Sequence, residues 1–360
     1  MKKSRFPLLV TLVILMSFLL TACGGGAVVN SWPGVSVDEN LVYLSYQGRV
    51  MAVNASNGTL AWQFPADPNA AKPFYAAPAV GEDLIVVGNY GKELYALNKS
   101  GQPAWQVPFT TTSGNFAATP LIVGDVILAP ATDDFLYALD RTGKLLWSFD
   151  TGNVLFAQPS SDGEVVYLPA MDHNLYALNI TDGALIWQTD LGSALTSAAV
   201  LDGESLYVGT MDGEVVAVNV ADGSVIWRAE TGGRIWSTPV LGEDALYVGN
   251  QANKVTAVST SDGAVLWQQD AGSPVIAGGV LLPDGVAFPT EGVENEGTVI
   301  AYSFDGESVL WRQLINGKLY STPVVVGSNL IVPVTQNEQN QLLQAFGLNG
   351  QVSWPFTAPK

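Results

Sequence analysis

One thiol, Cys23, and one imidazole, His173, are the only Cys and His side chains in the 360 residues. That inventory rules out several chemistries. A zinc site draws on several His or Cys ligands, a Ser or Cys nucleophile draws on a His base, and covalent haem needs a C-x-x-C-H run. His173 falls in Met171-Asp172-His173-Asn174, between two apolar runs, where a turn residue is expected. Carboxylates are the abundant reactive group, with 33 Asp and Glu against 15 Lys and Arg. Many sit in Asp-Gly pairs such as Asp162-Gly163, Asp202-Gly203, Asp212-Gly213, Asp222-Gly223 and Asp284-Gly285. These signal hairpin turns rather than calcium loops, since no run supplies alternating oxygen ligands and a distal Glu. The segment Glu291-Gly292-Val293-Glu294-Asn295-Glu296-Gly297 packs three carboxylates into one loop, and reads either as a solvated loop or as a weak cation site. No catalytic residue, metal site or cofactor is expected from this set.

Cys23 has a different chemistry open to it, set by what precedes it. Lys2, Lys3 and Arg5 open the chain, residues 6–20 form an apolar run of 15, and Leu20-Thr21-Ala22-Cys23 follows. The run is short of the roughly 20 residues that span a bilayer. The four-residue motif resembles a bacterial lipobox. That resemblance implies export, cleavage before Cys23, lipidation of its sulfur and acylation of the new amino group by a fatty acid such as palmitate. An ordinary signal peptide with a coincidental cysteine is the alternative. On the lipoprotein reading, residues 1–22 are the signal peptide, 23–31 are lipidated Cys23 with a flexible Gly24-Gly25-Gly26 tether, and 32–360 are the folded domain. The expected address is the periplasmic face of an outer membrane in a two-membrane bacterium, and otherwise the outer face of the cytoplasmic membrane. Losing the leader leaves 12 basic against 33 acidic residues, a charge of −21, which makes nucleic acid a poor partner.

The elements that carry these residues are repeats. Trp62, Trp105, Trp147, Trp187, Trp227, Trp267, Trp311 and Trp354 recur every 40 to 44 residues, the period of a four-stranded propeller blade. Within one period, LYVGTMDGEVVAVNVADGSVIW from Leu206 to Trp227 alternates β-branched and aromatic runs with Asp-Gly turns. A further apolar segment upstream, as at Thr238-Pro239-Val240, completes four strands. Gly or Pro interrupts any helical stripe. The fold is read as all-β: an eight-bladed β-propeller of four-stranded antiparallel blades, with residues 28–31 available to pair with the last blade and help close the ring.

Ala138-Leu139-Asp140-Arg141-Thr142-Gly143-Lys144-Leu145-Leu146-Trp147, together with residues 177–187, 217–227 and 257–267, resembles the tryptophan-docking repeat A-x-D-x-x-T-G-x-x-x-W of pyrroloquinoline-quinone-type propellers. The resemblance implies that all eight Trp are structural docking residues, each packed over a neighbouring blade. A lipoprotein propeller of eight such blades is similar to the outer-membrane β-barrel assembly factors of the BamB family. That similarity implies a non-catalytic protein-protein interaction scaffold, held to a membrane by its lipid and partnered by barrel-assembly machinery. A quinoprotein dehydrogenase is the rival within the same repeat class, but it would resemble enzymes that use adjacent cysteines, and only Cys23 exists here. A cell-surface module for polysaccharide or another ligand is a third reading.

Up-and-down strand order puts the loops between second and third strands on the same face as the segments crossing to the next blade. Those crossings carry Tyr75, Phe116, Phe156, Trp236 and Tyr320, with Arg234 and Lys318 beside two of them. The aromatics either fill the channel mouth as packing or form a partner-binding rim. Arg234 and Lys318 either anchor a carboxylate of the partner or pair with neighbouring acids.

Overall fold

The computed structural model describes residues 34–335 and 340–359. The leader at 1–22, Cys23, the Gly tether and the proposed pairing of residues 28–31 with the last blade lie outside the described residues.

Thirty-two strands form eight separate four-stranded sheets, each antiparallel and ordered first to fourth along the chain. No helix occurs among the described residues. Blade 5 shows how the sequence dictates this. Val200–Asp202, Ser205–Gly209, Glu214–Asn219 and Val225–Glu230 are its strands. They are rich in Val, Leu and Tyr, which fit a pleated surface. Asp-Gly or Asp-containing turns separate them, because a short acidic side chain bonds the turn's own amides and glycine takes φ above zero. The two middle strands of each blade are buried on both faces: in blade 5, Leu206 and Val216 pack toward blade 4, Tyr207 and Ala217 toward blade 6, and all four are buried.

The core runs around the ring as a series of layers between adjacent blades. Blades 3 and 4 share Leu128, Leu136, Val166 and Leu168, and blades 8 and 1 share Ile331, Leu343, Val42 and Met51. Each layer is fastened by an indole. Trp147 Nε1 donates to the Ile180 carbonyl at 2.9 Å, Trp187 to Val220 at 2.9 Å and Trp227 to Thr260 at 3.1 Å. Trp62, Trp105, Trp267 and Trp311 do the same to Lys99, Arg141, Phe304 and Leu348. In each case the acceptor lies in the turn before the next blade's fourth strand. A glycine in that turn lies under the indole. Gly183 has φ +71°, and a Cβ there would stand 2.5 Å from the Trp147 ring, so only glycine meets both the left-handed backbone and the contact.

Closure uses the same device. Trp354 Nε1 reaches back to the Ala55 carbonyl of blade 1 at 3.2 Å, and Asn329 Nδ2 donates to the same oxygen at 3.1 Å. Among the described residues every blade is built from one continuous stretch of chain. The seam between blades 8 and 1 therefore rests on side-chain packing, these bonds and one from Arg49 Nη1 to the Pro359 carbonyl at 3.2 Å.

Two departures from the regular blade have local causes. Blade 2 has an outer strand of only Phe109–Thr110, because Pro103 and Pro108 remove donors from the stretch that would continue it; Trp105 lies outside it yet still reaches Arg141. In blades 1 and 3–7 the fourth strand carries a bulge at the residue before the Trp. The extra residue bends an edge strand and spoils it as a template for further pairing.

Candidate functional site

The crossing segments and the second-to-third-strand loops meet through backbone hydrogen bonds. The amides of Thr132, Met211, Gln251 and Glu291 donate to the carbonyls of Asn115, Ala194, Arg234 and Pro274 at 2.8–3.1 Å. These bonds place both sets of loops on one face, around the mouth of an axial channel of about 920 Å³.

Each crossing has the same two-residue logic. The first residue is a plug that drops between blades: Leu155, Ile235 and Leu319 are completely buried and Phe74 nearly so. Ile235 fits because the second strand of the preceding blade 5 ends in Gly209, where a Cβ would stand 2.4 Å from Ile235 Cγ2. The next residue turns toward the channel. There Phe156 is 43% and Trp236 44% exposed, and Tyr75 and Tyr320 are half-buried at the same position.

Phe116 is a correction. It is the plug of its crossing, fully buried and packed near Phe109 and Tyr137, and the channel-facing residue there is Ala117. The rim thus consists of Tyr75, Phe156, Trp236 and Tyr320, which enter blades 2, 4, 6 and 8. Ala117, Thr196 and Ile276 stand between them. Aromatic and non-aromatic residues alternate around the mouth.

Tyr90 belongs with this rim and was not apparent from the crossings alone. Its ring lies 4.3 Å from that of Tyr75, and burial pushes the pKa of both phenols up. The signal was an aromatic at the tip of Asn89-Tyr90-Gly91, where blades 3 to 5 place Thr132, Met171 and Met211. Two blades around the ring, Tyr320 donates to Glu291 Oε1 at 3.2 Å. Burial, and then the charge of Glu291, raise the Tyr320 pKa, so the hydroxyl stays a donor. Lys318 Nζ donates to the Gly292 carbonyl at 3.2 Å, while Arg234 is exposed; neither is in an ion pair among the described residues.

The channel itself is neutral. Among the described residues no Asp, Glu, Lys, Arg or His lines it. Its wall carries Thr119, Gln158, Thr238 and Thr322 below the rim; Gln158 Nε2 donates to the Pro120 carbonyl at 3.1 Å, and Thr322 Oγ1 accepts from Gly278 N at 2.9 Å. Pyrroloquinoline quinone is an anionic cofactor whose burial calls for cationic partners, and this lining does not fit it. In the acidic loop, Glu291 turns to Tyr320 while Glu294 and Glu296 stay exposed at the hairpin tip. Among the described residues no three His, Cys, Asp or Glu converge on a common point.

His173 is exposed with φ 79°. It occupies the left-handed turn position held by Gly213 in the next blade and Asn253 in the one after. Its carbonyl accepts from Leu191 N at 2.9 Å, a backbone task that needs no imidazole.

Comparison with known proteins follows this geometry. The sequence profile of the family described as outer membrane protein assembly factor BamB matches residues 46–199, 172–280 and 253–360. No curated protein matches the chain. The crystal structure of BamB from Moraxella catarrhalis is similar with a TM-score of 0.71 at 18% identity, covering 91% of this chain and 94% of that one. The computationally designed protein Ika8 is similar with a TM-score of 0.72 at 13% identity, covering 92% and 98%. At such identities the two structures speak to the fold alone.

Proposed function

The chain belongs to the family of the outer membrane protein assembly factor BamB, and from that premise we propose that it is a non-catalytic scaffold that binds polypeptide at the mouth of its axial channel. The observation that carries this reading is the alternating rim. Phe156 and Trp236 are about two-fifths exposed on rigid crossings that buried plugs hold in place. Aromatic side chains with one wet edge supply large contact area at low entropic cost, as protein-protein hot spots do. Among the described residues no Asp, Glu, Lys, Arg or His lines the channel behind them.

Lipid attachment at Cys23 is part of the same proposal. Several acyl chains, at about 0.8 kcal/mol per buried methylene, hold a protein to its membrane durably. The family supports an outer-membrane address on the periplasmic side, with barrel-assembly machinery as the partner. Cys23→Ser is expected to move the protein from membrane to soluble fractions.

The rim is tested by placing a photo-crosslinking residue at position 236, or at 39 in an exposed blade 1 turn of the opposite face, in the native membrane. Adducts to a membrane β-barrel assembly component from 236 and not from 39 are expected. Equal adducts from both positions, or stoichiometric quinone binding with dye reduction by the purified protein, would overturn the proposal.

A further inference from the structure

A second surface lies at the opposite end of the ring. In blades 4–6 the bulged fourth strand opens with two aliphatic residues, Leu185-Ile186, Val225-Ile226 and Val265-Leu266, each 40–55% exposed. Blades 3 and 7 repeat the arrangement with Leu145-Leu146 and Val309-Leu310, each 40–51% exposed. Blade 2 has Pro103-Ala104 there, and blades 1 and 8 hold one large aliphatic each, so the apolar band is an arc and not a full girdle.

Charge separates blade 3 from the rest of this arc, because its turn carries Arg141 and Lys144. Three residues ahead of each pair in blades 4–6 stands the turn aspartate, Asp182, Asp222 or Asp262, and each accepts from a backbone amide two residues on at 2.9–3.1 Å. That bond holds the carboxylate beside the aliphatics. In blades 4–7 the turns at this end contain 12 Asp and Glu and no Lys or Arg. The cations of this end are Lys99, Arg141 and Lys144, in blades 2 and 3. Lys99 pairs with Asp38, and Arg141 with Asp83.

Exposed aliphatics of this size, recurring in register beside fixed carboxylates, are a marked departure from scattered surface apolar residues. We propose that the outer wall of blades 4–7 docks a cationic amphipathic segment of a partner polypeptide. Its apolar side chains cover the aliphatic pairs and its Lys and Arg face the turn carboxylates. Charge complementarity selects this occupant. A bilayer with anionic headgroups is repelled by these turns, and a second copy of the chain would bring like charges together. The bulges disfavour addition of a strand to the edge, so recognition runs through side chains.

The test uses the full-length lipidated protein in detergent and three labelled 20-residue helical peptides: Lys/Leu amphipathic, Glu/Leu amphipathic and Lys/Ser. Anisotropy at physiological salt is expected to show saturable binding of the Lys/Leu peptide only. Ile186→Ser/Ile226→Ser/Leu266→Ser and, separately, Asp182→Asn/Asp222→Asn/Asp262→Asn each weaken it by about tenfold or more. Asn keeps the amide acceptor of each turn, and Leu60→Ser in blade 1 has no effect. Circular dichroism melts of all variants report whether the ring is intact. Equal binding of the Lys/Ser peptide, or a change under about twofold in both folded triple variants, would overturn the proposal. So would loss of neutral-liposome binding in the Ser triple variant without loss of peptide binding, because it would make the arc a lipid contact.

Discussion

Trp147 and Gly183 illustrate how the molecule is held at the scale of single residues. The indole is 9% exposed, lies over the glycine and hydrogen-bonds to Ile180 beside it. Trp147→Ala removes both the packing and a satisfied donor, and should cost about 3–5 kcal/mol in urea unfolding. Gly183→Ala should also destabilise, and the double variant should lose less than the two effects combined, because both break one contact. Additive losses would contradict the shared contact. A second residue-scale prediction concerns acid. Asp162 accepts from Glu164 N, Val165 N and the Tyr167 hydroxyl at 2.8–2.9 Å. Burial works to raise its pKa, but hydrogen bonds from Val165, Glu164 and Tyr167 outweigh it and leave it lowered. A lowered folded pKa stabilises above the unfolded value of about 3.9 and stops doing so as pH falls through the folded one. The stability gap between wild type and Asp162→Asn should therefore be full at pH 6 and narrow below about pH 4. A gap that stays constant down to pH 2.5 would show that the charge is not what these donors hold.

Strands, turns and crossings are the scale at which sequence and structure can be compared usefully. The blades were legible because each fourth strand is marked by a Trp and each turn by Asp or Asn with Gly, so local chemistry repeats the same message. The rim was less so. Phe116 and Phe156 are both aromatics in crossing segments, yet one is a buried plug and the other faces the channel, and residue type does not separate them. Position does. Phe74, Phe116, Leu155, Ile235 and Leu319 all stand four residues before a proline, at Pro78, Pro120, Pro159, Pro239 and Pro323; counting back from that proline assigns the plug. The exposed aliphatic pairs were illegible for another reason: strict alternation would bury one of each two, and only the bulge lets both face outward. The crossings yield a prediction at this scale. Ile235→Ala should cost about 2–5 kcal/mol as a buried truncation, whereas Trp236→Ala should change stability by less than about 0.5 kcal/mol while reducing partner capture. Comparable stability losses at the two positions would make Trp236 a packing residue.

For the ring as a whole, the seam between blades 8 and 1 decides cooperativity. Its described contacts include a shared apolar layer, the bonds from Trp354 and Asn329 to the Ala55 carbonyl, and one from Arg49 Nη1 to the Pro359 carbonyl. Repeat proteins transmit stability through nearest-neighbour interfaces, so weakening one seam should loosen the two blades that flank it. Trp354→Ala is expected to lower amide exchange protection first in blades 1 and 8, with blades 4 and 5 least affected. Uniform loss around the ring would indicate that closure is not local. The indoles also set an order of events. From Trp62 to Trp311 each reaches an acceptor 33–37 residues downstream, whereas Trp354 reaches back 299 residues. A chain that emerges N-terminus first can fasten each blade soon after its successor appears. Blade 1 must wait for the final strand, so its Ala55 carbonyl and the apolar wall around it are the last to leave water, and the interval before they do is when the growing chain most needs a chaperone.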